Sequence, residues 1–189
     1  MSFRETFFFM FLGHNRTGKS VTARQLAERW RETHDGKIYA HDPQQRFHDI
    51  MDVKLVAGEA VFQEFLDDEP RECLLILDDY RMLHPSDRMD KGLLDIMNVR
   101  NEYCIDIIMI THAPSLVLER LTYYITHYFV YFTQGTDKGF KEKIPNYVVL
   151  TAIRNVINRY VKNNGKGVYP TFPYMIFNNE TEDVTKVNM

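Results

Sequence analysis

The sequence predicts an α/β chain: a three-layer α/β/α sandwich around a mainly parallel central sheet. Three observations carry this. Five apolar runs, Phe7–Leu12, Lys37–His41, Cys73–Leu77, Ile105–Ile110 and Tyr128–Phe132, alternate with segments of helical periodicity. Several runs are continuously apolar, as strands buried on both faces of a parallel sheet are. The first run opens into Gly13-His14-Asn15-Arg16-Thr17-Gly18-Lys19-Ser20, a glycine-framed loop that leads into a helix.

The elements follow in order. After the loop, Lys19 to Glu32 places Val21, Leu26, Ala27 and Trp30 near helical spacing. Val53–Ala57 reads as a short strand or an edge piece. Glu59 to Asp67 aligns Val61, Phe62, Phe65 and Leu66. Ser86-Asp87 offers a cap ahead of a helix over Lys91 to Glu102, with Leu93, Leu94, Met97 and Val99 inward. Ser115 to Tyr124 reads as a shorter helix. Asn146 to Val161 repeats apolar residues at Val149, Ile153, Val156, Ile157 and Tyr160. The core domain is set at 1–162. The segment 163–189, rich in Gly, Pro and Asn, is expected to be a surface-packed or partly disordered extension.

With 189 residues, 44% hydrophobic and 26% charged, the chain suits one globular domain. A net charge of -3 gives no global basicity with which to hold nucleic acid, though a local basic surface is compatible with it. Phe7–Leu12 is too short for a bilayer, which takes ~20 apolar residues. No integral membrane segment and no signal peptide are expected. Cys73 and Cys104 both begin apolar runs and read as inert core thiols in a reducing compartment. His41 and His48 have no metal-ligand spacing.

The loop Gly13–Ser20 has the G-x-x-x-x-G-K-S pattern between a strand and a helix. Glycines there free backbone N–H groups to face phosphate oxygens, and the helix adds its positive dipole end. Gly13, His14, Asn15, Arg16, Thr17, Gly18, Lys19, Ser20 and Val21 are therefore the candidate nucleotide-binding residues. Lys19 would reach the β- and γ-phosphates of ATP, and Ser20 would ligate Mg²⁺. Next, Leu74-Leu75-Ile76-Leu77 runs into Asp78-Asp79. Asp78, at the strand end, can hold the Mg²⁺ shell opposite Ser20, and Asp79 can polarise the attacking water. A further strand, Ile105–Ile110, leads to Thr111-His112, either of which can sense the γ-phosphate. Arg100 precedes this strand. Its guanidinium could serve a neighbouring subunit's site, with Arg81 and Arg88 as competitors, or satisfy its own helix end; Arg16 could contact phosphate from within its own loop.

Taken together, Gly13–Ser20, Leu74–Asp79 and Asn98 to His112 resemble the FtsK/HerA superfamily of ring-forming DNA-pumping ATPases. The resemblance covers roughly Phe7 to Phe132. The family usually has Gln where His112 stands and Glu where Asp79 stands. The resemblance implies a P-loop NTPase fold of the additional-strand, RecA-like type, with ATP and Mg²⁺ as cofactors. It implies a homo-oligomeric ring, hexamer or pentamer, on DNA held through sequence-independent phosphate contacts. The branch most like this compact chain is that of the viral genome-packaging ATPases. That implies capsid vertex or portal proteins as partners, and the host cytoplasm or the virion vertex as location. Basic residues for a ring lumen are Arg81, Arg88 and Lys91, or Lys138, Lys141 and Lys143 beside Gly135 and Gly139.

Other readings stay open. A zonula-occludens-toxin-like phage assembly and export ATPase has a similar domain, typically followed by a transmembrane helix. A small-molecule or nucleotide kinase uses the same loop, but needs an Arg-rich lid that is not seen here. A nucleotide switch would lack the hydrolytic base.

Overall fold

The computed structural model describes residues 4–56, 61–80, 89–133, 140, 142, 144–167 and 171–189. Within them eight strands form one sheet: β1 (Phe8–Leu12), β2 (Ile38–His41), β3 (Val53–Lys54), β4 (Cys73–Leu77), β5 (Ile105–Thr111), β6 (His127–Val130), β7 (Tyr174–Asn178) and β8 (Val184–Val187). Their order is β3-β2-β4-β5-β1-β6-β7-β8. The first six run parallel, and β7 and β8 add on antiparallel. The helices are α1 (Lys19–Thr33), α2 (Val61–Asp67), α3 (Lys91–Tyr103) and α4 (Tyr147–Asn164).

Strand pleating sends alternate side chains to opposite faces, and the core divides accordingly. Phe8, Met10, Leu75, Ile107 and Met109 pack with Phe62 and Phe65 of α2, Ile96 of α3 and Ile153 and Ile157 of α4. Phe11, Ile76, Ile108, Ile110 and Phe129 pack with Ala23, Ala27 and Trp30 of α1. This makes three layers. β4 and β5 are buried at every position, as the continuous apolar sequence of β4 and the largely apolar one of β5 require.

A carboxylate lies between the strands and α1 inside that core. Asp106 of β5 is fully buried, accepts from Trp30 Nε1 at 2.8 Å and Phe7 N at 2.9 Å, and pairs with Arg4 Nη1 at 2.7 Å. A buried carboxylate so partnered avoids the cost of an orphaned charge and ties α1, β1 and β5 together.

Several elements differ from the sequence pattern. α1 buries Ala23, Ala27 and Trp30, whereas Val21 and Leu26 are half-buried, because the sheet takes the narrower stripe. The 115–124 segment forms two 3-10 turns, Pro114–Leu116 and Glu119–Tyr123, instead of a helix. α3 is capped by Asp90, whose Oδ1 accepts from Gly92 N at 2.7 Å; Ser86 and Asp87 lie outside the described residues. α4 buries Leu150, Ile153, Ile157 and Val161, one position around from the expected face, and leaves Val156 exposed. Cys73 is buried, and burial pushes its thiol up to about 12. Cys104, the left-handed C-cap of α3, is only half-buried.

The C-terminal extension is drawn into the sheet. β7 pairs with β6 from His127↔Asn178 to Val130↔Met175, and Met175 and Phe177 enter the core. The alternating Tyr174–Asn178 stretch supplies the period-2 pattern that composition alone obscured.

Candidate active site

Parallel strands gather the loops that follow them at one edge. The loops after β1, β2, β4 and β5 meet there, so the candidate residues converge although they lie up to a hundred positions apart. β5 stands between β1 and β4, the additional strand expected from the sequence.

The loop after β1 is shaped by close approach. At Gly13 a Cβ would stand 2.6 Å from Tyr131 Cβ, and at Gly18, with φ +93°, it would overlap the Phe172 ring. Only glycine fits either position. His14 N donates to Phe132 O at 2.7 Å, and Thr17 Oγ1 donates to His14 O at 2.7 Å. Asn15 and Arg16 are exposed at the rim, and Val21 is half-buried inside it. Lys19 is buried and donates to Gly13 O at 2.7 Å and His14 O at 2.8 Å. Burial lowers its pKa to about 8; Arg46 adds to this, while Asp78 and Asp79 oppose it.

Asp78 is 1% exposed at the end of β4, and neither carboxylate oxygen accepts a hydrogen bond among the described residues. Burial raises its pKa to about 6, with Asp42 and Asp79 adding and Arg46 and Lys19 opposing. Asp79 follows in the left-handed region, φ +54°, which turns the chain sharply after the strand. His112 Nε2 stands 3.4 Å from Asp79 Oδ2. Burial, with Lys19 nearby, lowers the His112 pKa against the pull of Asp79, which disfavours the imidazolium. Thr111 Oγ1 and His112 Nδ1 are buried with no hydrogen-bond partner among the described residues.

Lys19, Ser20, Asp78, Asp79 and His112 are thus brought together. Arg100 is not. It is 7% exposed at the opposite edge and donates to Tyr124 O at 3.0 Å, beside a cavity of about 470 Å³ that Arg4 and Glu180 also line. Arg81, Arg88, Lys138, Lys141, Lys143, Gly135 and Gly139 lie outside the described residues; Lys91 is exposed at the start of α3.

Two residues join the site that sequence reasoning missed. Arg46, in the loop after β2, hydrogen-bonds Ser20 Oγ and approaches Asp78 Oδ2 at 3.9 Å. Phe172 lies against Gly18 and, with Val21, Arg24 and Arg46, lines a cavity of about 450 Å³ over the loop. Neither belongs to a motif. Arg46 follows a turn and Phe172 lies in a segment of loop composition, so only the fold brings them in.

The donors fit a hard divalent ion. One guanidinium approaches both a buried carboxylate without hydrogen-bond donors and a serine hydroxyl, and both are oxygen ligands. Among the described residues no three His, Cys, Asp or Glu could hold a metal by themselves. Bound Mg²⁺ usually completes its shell with substrate phosphates and water.

No protein-family model matches the sequence, and no curated protein matches it. Solved structures do share its fold. The genome-packaging NTPase B204 from Sulfolobus turreted icosahedral virus 2, in complex with AMP, is similar at TM-score 0.65 and 10% identity, over 96% of each chain. The DNA-packaging ATPase B204 from Sulfolobus turreted icosahedral virus is similar at 0.64 and 11% identity, over 95% of this chain and 96% of that one. ATPases 2 and 3 of Thermomonospora curvata EccC, in complex with a signal sequence peptide, are similar at 0.60 and 11% identity, over 96% of this chain and 36% of that one. These likenesses establish an α/β P-loop NTPase fold. No helix of the described residues is long and apolar enough to cross a membrane.

Proposed function

We propose that this chain is an ATP-hydrolysing motor of the FtsK/HerA type that moves DNA, most like those that package a viral genome into a preformed capsid. The supporting observation is the convergence of Lys19, Ser20, Asp78, Asp79 and His112 at one edge, with β5 between the loop strand and the acidic strand. The similarity to B204 supports the same reading.

The residues divide the work. The backbone of Gly13 to Ser20 and the start of α1 bind the β- and γ-phosphates. Lys19 exchanges its two carbonyl partners for phosphate oxygens. Ser20 and Asp78 would hold Mg²⁺, which supplies charge neutralisation across the β- and γ-phosphates. Asp79 accepts a proton from the attacking water as ATP and water give ADP and phosphate. His112 orients Asp79 and the water. Arg100 is the candidate trans-acting arginine of a hexameric or pentameric ring; to serve, it must leave Tyr124 O and enter the neighbouring protomer's site. DNA would be gripped through its phosphates, and vertex or portal proteins would receive the ring in the host cytoplasm or at the virion.

The test is phosphate release against protein concentration, with and without DNA and with no phosphoacceptor. Specific activity should rise with self-association and with DNA. Turnover that appears only when a nucleoside or monophosphate accepts the phosphoryl group would replace this reading with a kinase.

A further inference from the structure

We propose that Arg46 is a resident counter-cation of the metal site, which holds Ser20 and Asp78 until a divalent ion displaces it. The proposal rests on the reading of Ser20 and Asp78 as the metal-holding pair.

Its backbone is fixed. Asp42 Oδ1 accepts from Arg46 N at 2.8 Å and Asp42 Oδ2 from Phe47 N at 2.6 Å, while Phe47 is fully buried. Arg24 Nη1 donates to Arg46 O at 2.9 Å, and Arg24 is itself clamped to Asp49 through two bonds of 2.7 and 2.6 Å. The side chain is 40% exposed, so the guanidinium can swing while its Cα stays in place.

Its contacts are those of the ion. Nη1 hydrogen-bonds Ser20 Oγ and stands 3.9 Å from Asp78 Oδ2, and Nη2 hydrogen-bonds Gln44. The neighbouring cation, Lys19, is committed to Gly13 O and His14 O, so Asp78 is left to Arg46. A buried carboxylate needs a counter-charge, and here a side chain provides one before the metal does. The two cations exclude each other. Arg46 Nη1 occupies the space between Ser20 Oγ and Asp78 Oδ2, and a divalent ion held by those oxygens would stand against its positive charge. Arg46 also lines the cavity above the loop, into which its side chain would swing once displaced.

The test uses the full chain, a fluorescent ATP analogue at fixed sub-saturating concentration, and a Mg²⁺ titration. Arg46→Gln, which keeps hydrogen bonding but loses the charge, should lower the half-saturating Mg²⁺ about fivefold. Arg46→Lys should stay near wild type. In EDTA, Arg46→Gln should melt earlier than wild type, and added Mg²⁺ should restore more of the difference. An unchanged or higher half-saturating Mg²⁺ in Arg46→Gln would overturn the proposal. Ser20→Ala and Asp78→Asn separate the two levels. If they raise the half-saturating Mg²⁺ and Arg46→Gln does nothing, only the Arg46 role fails. If they too leave it unchanged, the metal assignment itself fails.

Discussion

His112 Nε2 lies 3.4 Å from Asp79 Oδ2; His112 directly follows β5, and Asp79 stands two residues past the end of β4, the adjacent parallel strand. Strand register therefore fixes their separation. Asp79→Asn should cut turnover about 10²–10⁴-fold while nucleotide affinity stays near wild type. His112→Ala should cost less, because it removes orientation and leaves the base. ATPase rates beside analogue binding check both. Equal loss of binding in both variants would assign the pair to structure, not to hydrolysis.

Asp78 predicts an unusual pH dependence of stability. Its pKa is about 6 in the folded chain against 3.8 for the ordinary group, so the folded state holds the proton more tightly. Stability without metal should then rise as pH falls from 6 toward 4, by up to about 3 kcal/mol. Asp78→Asn should abolish that slope and melt higher than wild type at pH 7. Denaturant unfolding at several pH values with EDTA measures this.

Lys19 gives a second proton linkage, of opposite use. Its pKa near 8 must rise when phosphates replace carbonyls around Nζ. ATP binding at pH 8.5 should therefore take up a proton, and affinity should fall above pH 8 by up to ~10-fold per unit. Calorimetry in two buffers of different ionisation heat reads the uptake. Heats that do not depend on the buffer would refute it.

Asp106→Ala should strand the Trp30 and Phe7 N–H donors and the Arg4 charge, costing about 3 kcal/mol and lowering the melting midpoint by about 10 °C. Asp106→Asn keeps an acceptor for Trp30 and should lose roughly half as much. Circular dichroism melts distinguish the two.

Much of this was legible before the fold. The strands over Cys73–Leu77 and Ile105–Ile110 announce themselves because both faces are buried and every position is apolar or, at Asp106, satisfied. Gly13–Ser20 was legible because backbone geometry dictates its glycines. What escaped has a common cause. Arg46 and Phe172 act through tertiary approach, and no local pattern records which loop a distant side chain will touch. β7 escaped because its alternation sits between glycine, proline and asparagine residues that read as loop. Arg100 shows the converse: its position before β5 fitted a pattern, and its own protomer buries it at the far edge.

The contact of Phe172 with Gly18 joins the first strand-loop of the chain to a residue more than 150 positions later. During synthesis the loop Gly13–Ser20 emerges well before its aromatic wall, which arrives only with the segment that leads into β7. A nascent chain can thus fold its core around β1, β4 and β5 while its nucleotide cavity still lacks one side. The wall that closes the cavity over the loop is thus completed only after the strands that carry the loop.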